Sequence, residues 1–495
     1  MHTDESSAGS LPLNHEFLDN IRPAAWRNPE PAGTYDLVIL GAGPAGLLAA
    51  RGAATLGRKV ALIERDLLGG NCLNFGCVPS KALIRTSLLY ARMRDAQDLG
   101  IPRPDGINID VRADMRRIRR IQTRISRVDS AHRLCEAGVD VFFGPAKFAG
   151  SASVTVNGTI LRFKKALIAT GARPLTPAIP GLGEAGYWTN ENVFDLDAIP
   201  RRLLVVGGGP LGCELAQAFC RLGSHVIIAQ DEPMFLPGEE RDAAQILSDS
   251  LARDGVEIHL NTQVVAVRTQ GGDKVVDLVS DDSRTSVYVD EILTGIGRAP
   301  NVENMALEAA KVEYDRAAGI HVNDYLQTTN ARIYAAGDVC LARKFTHMAD
   351  ATARIVLHNA LLRGRRRLSV LTVPWCTYTD PEIAHVGLYV REAREQAIPV
   401  KTFTILMHDV DRAVTDGDEE GFLKIHVREG TDRILGATIV ARRAGEMINE
   451  LSLAITAGIG LGQLGQVIHA YPTQSGAIKM AADAYYRTRL REMPG

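Results

Sequence analysis

Twice along this chain an apolar strand runs into a glycine-rich turn, then a helix, then a second apolar strand, and few architectures accommodate that repeat. The first copy is "YDLVILGAGPAGLLAARGAATLGRKVALIE", from Tyr35 to Glu64. Gly41, Gly43 and Gly46 fill a G-x-G-x-x-G pattern, where absent side chains let the backbone turn tightly and let a pyrophosphate approach a helix N-terminus. Glu64 ends the second strand, where a carboxylate accepts hydrogen bonds from ribose hydroxyls. The second copy, "RRLLVVGGGPLGCELAQAFCRLGSHVIIAQDE", places Gly207, Gly209 and Gly212 in the same pattern. One such turn is weak evidence, but two inside complete strand-turn-helix-strand units predict two dinucleotide sites on an α/β scaffold.

The two copies end differently. Where the first has Glu64, the second has Gln230 followed by Asp231 and Glu232. A site for NADPH usually places Arg there to meet the 2′-phosphate, which these carboxylates would repel, so NADH is favoured over NADPH. Further on, "TTNARIYAAGDVC" sets Asp338 just after an apolar strand, a place from which a carboxylate can reach sugar or ribityl hydroxyls.

The 495 residues are long enough for two to four domains, and 56 basic against 58 acidic side chains leave no bias toward nucleic acid or anionic membrane. Seven cysteines are too few for a disulfide scaffold in so long a chain. With no secretory signal in "MHTDESSAGS" and no uninterrupted apolar span, the expected compartment is the cytoplasm.

"GGNCLNFGCVPSK" then places Cys72 and Cys77 with four residues between them. A regular helix would separate them by a rise of about 7.5 Å, beyond the usual limit of about 7 Å for bridged Cα atoms, so a break is expected, with Asn74 and Gly76 as the residues suited to left-handed backbone. Pro79 suits the first turn of a following helix, which puts Cys77 at its N-terminus and Lys81 one turn along, and both features stabilise a thiolate. Zinc would need two further ligands at suitable spacing, and none follows; a structural bridge does not suit a reducing compartment. The pair reads as a catalytic dithiol.

In this combination the chain resembles the FAD-dependent pyridine nucleotide-disulfide oxidoreductases, among them dihydrolipoamide dehydrogenase, glutathione reductase and mercuric reductase. Residues 35–490 carry, in the family's order, "GAGPAG", "GGNCLNFGCVPSK", "ATGARP", "GGGPLGCE", "GIGRAPN", "AAGDV" and "IHAYPTQSG". The resemblance implies FAD at Gly41, Gly43, Gly46, Glu64, Gly171 and Asp338, and a nicotinamide nucleotide at Gly207, Gly209, Gly212 and Gln230. It also implies Cys72 as the thiol facing substrate, Cys77 as the thiol against the flavin, and Lys81 with Glu214 beside the reactive edge of the flavin ring. The expected fold is α/β: two Rossmann-like domains, for FAD and NAD(P), and a C-terminal α+β dimerisation domain. Expected boundaries are an N-terminal extension at 1–34, FAD-binding segments at 35–200 and 299–370, an NAD(P)-binding domain at 201–298 and an interface domain at 371–495. Electrons would pass from NAD(P)H through the flavin to the thiol pair and on to the acceptor.

The disulfide-reducing members complete each site with a His and Glu pair from the partner subunit, whereas here Tyr471 and Gly476 stand at those positions. Phenol is a poor base at neutral pH, so proton-dependent disulfide reduction is disfavoured. Mercuric reductase also has Tyr there, which suits a soft ion ligated by two thiolates, and the substrate expectation is a metal ion reduced by a homodimer in which Tyr471 completes the neighbouring site. The alternatives are a dihydrolipoamide dehydrogenase-like disulfide reductase and a redox-sensing or interaction flavoprotein. His469 could serve as a substitute base but reads more readily as a packing or hydrogen-bonding residue. In "MRRIRRIQTRISRV", Met115, Ile118, Ile121, Ile125 and Val128 predict the buried stripe of an amphipathic helix. Cys135, Cys213, Cys220, Cys340 and Cys376 read as small core residues.

Overall fold

The computed structural model describes residues 15–31, 33–102, 109–281 and 283–492, so that the first fourteen residues of the expected N-terminal extension lie outside the described residues. The fold is α/β, and three of its sheets carry the main units. In the first, parallel strands Val139–Phe143, Val60–Glu64, Thr34–Leu40 and Thr159–Ile168 lie side by side in that order, and Ile333–Ala335 pairs in parallel with the last. The near-continuous apolar run of Thr34–Leu40 follows from burial on both faces. Leu37 and Ile39 point into a core with Ala50, Ala53 and Ile355, while Val38 and Leu40 point into another with Val154, Phe163 and Ile320. The late strand Ile333–Ala335 brings Asp338 to the same carboxyl edge as the Gly41–Gly46 turn, although nearly three hundred residues separate them.

The second sheet is parallel throughout, in the order Glu257–His259, His225–Ala229, Arg202–Val206, Glu291–Thr294, and it repeats the two-faced packing. Leu203 and Val205 meet Leu215 and Phe219, whereas Leu204 and Val206 meet Val276 and Leu278 of an antiparallel meander. The third sheet is antiparallel, Pro374–Thr377, Glu382–Gly387, Ile434–Ala441, Phe422–Arg428, Val400–Leu406, with the helices Ala444–Ala457 and Gly476–Glu492 packed on it. Among the described residues no helix is long and apolar enough to cross a membrane.

Three local expectations are corrected. The left-handed backbone near the cysteines is at Gly69 (φ 91°) and Gly70 (φ 57°), not at Asn74 or Gly76. Gly76 is needed for space, since a Cβ there would lie 2.9 Å from the Asn71 carbonyl oxygen. The helix Val111–Ser126 buries Met115 and Ile118, but its buried face then passes to Gln122, Thr123 and Ser126, leaving Ile125 43% and Val128 52% exposed. Gln122 explains the change, because its amide donates to the Leu73 and Asn74 carbonyls at 2.9 Å each and holds the helix to the cysteine segment by polar contact. Cys135 is exposed rather than in the core.

Candidate active site

The short helix Gly70–Asn74 carries Cys72; the chain breaks at Phe75 and Gly76, and the helix Cys77–Arg94 starts on Cys77 itself. Both residues are free thiols within hydrogen-bonding reach of one another, Cys72 half-buried and Cys77 open. Their acidities are driven apart. The hydrogen bond from the Cys72 thiol, then Thr346 and the Lys81 charge, bring Cys77 down to about 6 against the opposing cost of burial. Cys72 is pushed up, first by giving that hydrogen bond and then by burial. Thr346 Oγ1 lies 3.4 Å from Cys77 Sγ, and Thr346 opens the helix Thr346–Leu361, so two helix N-termini face one thiolate.

Lys81, one turn past Cys77, donates to Glu214 Oε2 at 2.6 Å. Glu214 comes from the helix Pro210–Arg221 of the second α/β unit, is only 4% exposed, and accepts the Tyr378 backbone N–H at 2.8 Å on its other oxygen. The Tyr378 ring lies 4.7 Å from the Lys81 ammonium. Three separate stretches of chain thus hold one ion pair whose carboxylate is buried and whose ammonium is partly open. The structure brings together Cys72, Cys77, Lys81 and Glu214, which the sequence singles out, and adds Thr346 and Tyr378, which it does not. A polar residue at a helix start signalled the position of Thr346, not what it would face, and nothing local marks Tyr378.

The two glycine turns superpose in their requirements. Gly41 and Gly207 take φ of 100° and 101°; a Cβ at Gly46 or Gly212 would sit 1.9 or 2.1 Å from the carbonyl oxygen of the first glycine of its own turn. At Gly43 and Gly209, by contrast, the nearest atom to such a Cβ is 3.9 Å away, which is the space a phosphate needs at the uncapped starts of Pro44–Thr55 and Pro210–Arg221. Glu64 accepts from Ala42 N at 2.7 Å and from Asp66 N at 2.8 Å, which fixes both carboxylate oxygens at the strand end, and burial raises its pKa. Asp338, its carboxyl raised by burial, lies 3.2 Å from Arg298, and the Gly171 carbonyl receives Asn301 N at 2.9 Å. At the second turn the Gln230 side-chain oxygen is buried without a partner, an acceptor waiting for a hydroxyl. These residues fit FAD at the first site and a nicotinamide nucleotide at the second.

Cys72 opens onto a cavity of about 710 Å³ lined by Leu47, Leu48, Leu73, Val78 and the misassigned Ile125, with Arg51 and Arg354 among its charged groups. Tyr471 is not brought to it within this chain. It is 80% exposed and donates to Asp411 Oδ2 at 2.9 Å, a contact that raises its pKa. His469 has Nε2 2.8 Å from Glu450 Oε1 and Nδ1 3.2 Å from the Val467 carbonyl, so both ring nitrogens face acceptors and its role here is hydrogen bonding.

Residues 35–354 match the family described as pyridine nucleotide-disulphide oxidoreductase, and residues 373–482 match the dimerisation domain of the same family. The chain is similar to mercuric reductase of Staphylococcus aureus, 33% identical over 454 residues that cover 91% of this chain and 82% of that protein. It is similar to dihydrolipoyl dehydrogenase of Thermus scotoductus, 32% identical over 461 residues covering 92% and 98%. Among solved structures, the Cu(II) complex of the HOCl-induced flavoprotein disulfide reductase RclA from Escherichia coli superposes with a TM-score of 0.81 at 29% identity, over 90% of this chain and 98% of that one.

Proposed function

This chain belongs to the pyridine nucleotide-disulphide oxidoreductase family of FAD-dependent, NAD(P)H-using enzymes, and from that premise we propose that it is a homodimeric, NADH-preferring reductase of a thiol-seeking metal ion such as Hg(II) or Cu(II). The observation that carries the reading is the pair of thiols of split acidity, with Cys72 opening onto a cavity, while Tyr471, a hydrogen-bond donor rather than a base, stands where disulfide reduction employs histidine. The likeness to mercuric reductase supports that substrate class, and the neighbour solved as a Cu(II) complex, itself named a disulfide reductase, is a related fold with a thiol-seeking metal bound.

In this reading Gly41, Gly43, Gly46, Gly171, Glu64 and Asp338 hold FAD, whose chemistry is to pass electrons between the nicotinamide and the thiol pair. Gly207, Gly209, Gly212 and Gln230 hold the nicotinamide nucleotide. Lys81 keeps a positive charge near Cys77 and beside the ring site, and Glu214 keeps that charge paired where an unpaired ammonium would be costly. Cys77 holds the negative charge of the reduced pair. Cys72 keeps its proton until a metal ion displaces it, after which two thiolates ligate the ion, as a soft cation prefers. Tyr471 of the partner subunit completes the cavity as a hydrogen-bonding wall.

A second reading, a lipoamide-type disulfide reductase, draws on the Thermus relative and on a cavity large enough for a small organic disulfide. The test is NADH and NADPH oxidation by the FAD-loaded protein with Hg(II) held in excess small thiol, or with Cu(II) held by a thiol-free chelator, in parallel with lipoamide. Metal-dependent oxidation that Cys72→Ala abolishes supports the first reading. Fast lipoamide turnover without metal turnover replaces it with the second.

A further inference from the structure

Gln230 follows the strand His225–Ala229 and is 5% exposed. Its amide nitrogen donates to the Met234 carbonyl at 2.8 Å, and the side-chain oxygen is buried and unpartnered. That oxygen lies against the second glycine turn, since a Cβ at Gly208 would sit 2.1 Å from it. The orientation of one amide therefore decides whether the ribose site offers an acceptor or a donor.

Local contacts account for part of what holds Met234 in place, since Arg241 donates to the Phe235, Leu236 and Glu239 carbonyls. The segment 231–240 is irregular and places buried Leu236 at φ 42°, a left-handed conformation that a branched side chain adopts only under constraint. A second set of constraints comes from the C-terminal unit. Glu239, 7% exposed, accepts Tyr389 Oη at 2.7 Å and Trp375 Nε1 at 3.1 Å. Glu240 accepts Lys424 Nζ at 3.0 Å and His426 Nε2 at 3.1 Å. Arg391 donates to the Pro237 and Glu239 carbonyls at 3.3 Å each and also to that of Gly238. The donors are themselves locked in a ring cluster, His385 packing on Trp375 and Tyr389 at centroid distances of 4.6 and 3.6 Å and those two meeting edge-on at 5.8 Å. This amounts to far more anchorage than a connecting loop needs.

We propose that Glu239 and Glu240 are positioning residues for nicotinamide-nucleotide selection: tied to the C-terminal sheet, they hold the Met234 carbonyl on the Gln230 amide nitrogen, so that the Gln230 oxygen faces the ribose. An acceptor there pairs with the 2′-hydroxyl of NADH and opposes the acceptor-only 2′-phosphate of NADPH, as do Asp231 and Glu232 nearby. The inference rests on the assignment of the second glycine turn to NADH. It adds that the selectivity of that site is imposed by the C-terminal unit.

The test is calorimetric titration of the oxidised, FAD-loaded protein with NAD⁺ and with NADP⁺, neither of which reduces it. In Glu239→Ala, NAD⁺ binding is expected to weaken about tenfold, ~1.4 kcal/mol, with NADP⁺ binding little changed, while FAD content and the titre of Cys72 and Cys77 stay those of the wild type. Tyr389→Phe, which removes one donor and keeps the aromatic stack, lowers the NAD⁺ to NADP⁺ preference in the same direction by less, and it decides the matter if Glu239→Ala does not retain FAD. An unchanged preference in a variant that retains FAD overturns the proposal. If the wild type itself shows no preference for NAD⁺, the NADH assignment falls and the proposal with it. If the wild type prefers NAD⁺ and Gln230→Leu loses that preference while Glu239→Ala and Tyr389→Phe keep it, the ribose site stands and the remote clamp alone is wrong.

Discussion

At Cys77 the thiol is brought down to about 6 by the Cys72 hydrogen bond, Thr346 and Lys81, so the reduced protein keeps a thiolate there above that pH and loses it below. Alkylation of the reduced, flavin-free protein, followed residue by residue by mass spectrometry across pH, is expected to show half-maximal rate at Cys77 near pH 6 and slow reaction at Cys72 throughout. Lys81→Met removes an opposite charge and moves the Cys77 midpoint up by about one pH unit; Thr346→Val moves it in the same direction. A midpoint that ignores both substitutions would mean that Cys72 alone sets it. At this scale the sequence was readable where chemistry and spacing coincide, as at Cys72, Cys77 and Lys81. Thr346 and Tyr378 are 269 and 297 positions from Cys77 and Lys81 respectively, and only the folded chain brings them together.

The strand-turn-helix units were legible because each glycine has a separate steric duty, and those duties predict different failures. In Gly46→Ala the new Cβ meets the Gly41 carbonyl oxygen at 1.9 Å, so the turn itself must open; the expected outcome is loss of FAD together with a lower Tm. In Gly43→Ala the Cβ finds room in the protein, so the apoprotein keeps its Tm while FAD affinity falls at least about tenfold, read as flavin content and flavin binding. The helix Val111–Ser126 was less legible: periodicity counted Ile125 as core, whereas Gln122 takes the buried place and Ile125 turns to the cavity beside Cys72. Glu382, which accepts Gly445 N at 2.8 Å at the start of Ala444–Ala457, gives a further prediction. Burial raises its carboxyl from 4.5 to about 7, so between those values the folded state holds a proton that the unfolded state has released, and stability falls as pH rises through that window. Glu382→Gln removes this contribution, up to about 3 kcal/mol, and denaturant unfolding at pH 4.5 and pH 7.5 should show a smaller decline with pH in the variant.

For the whole molecule the decisive residue is Tyr471, which matches the family's site-completing position yet lies 80% exposed on its own chain, bonded to Asp411. If it serves the neighbouring cavity, each site is shared between subunits, and two defective chains can repair one another. A dimer of one Cys72→Ala chain and one Tyr471→Phe chain would contain one site with both residues intact and one site lacking both. Each parent homodimer would contain two sites, each missing one residue. Co-expression with distinct affinity tags, followed by isolation of the mixed dimer, is therefore expected to restore metal-dependent NADH oxidation to half the wild-type level per dimer, whereas neither homodimer reaches it. If Tyr471 instead acted within its own chain, the mixed dimer would carry one site without Cys72 and one without the phenol, and its activity would be the average of the parents. The outcome separates a shared site from two independent ones without any assumption about the natural acceptor.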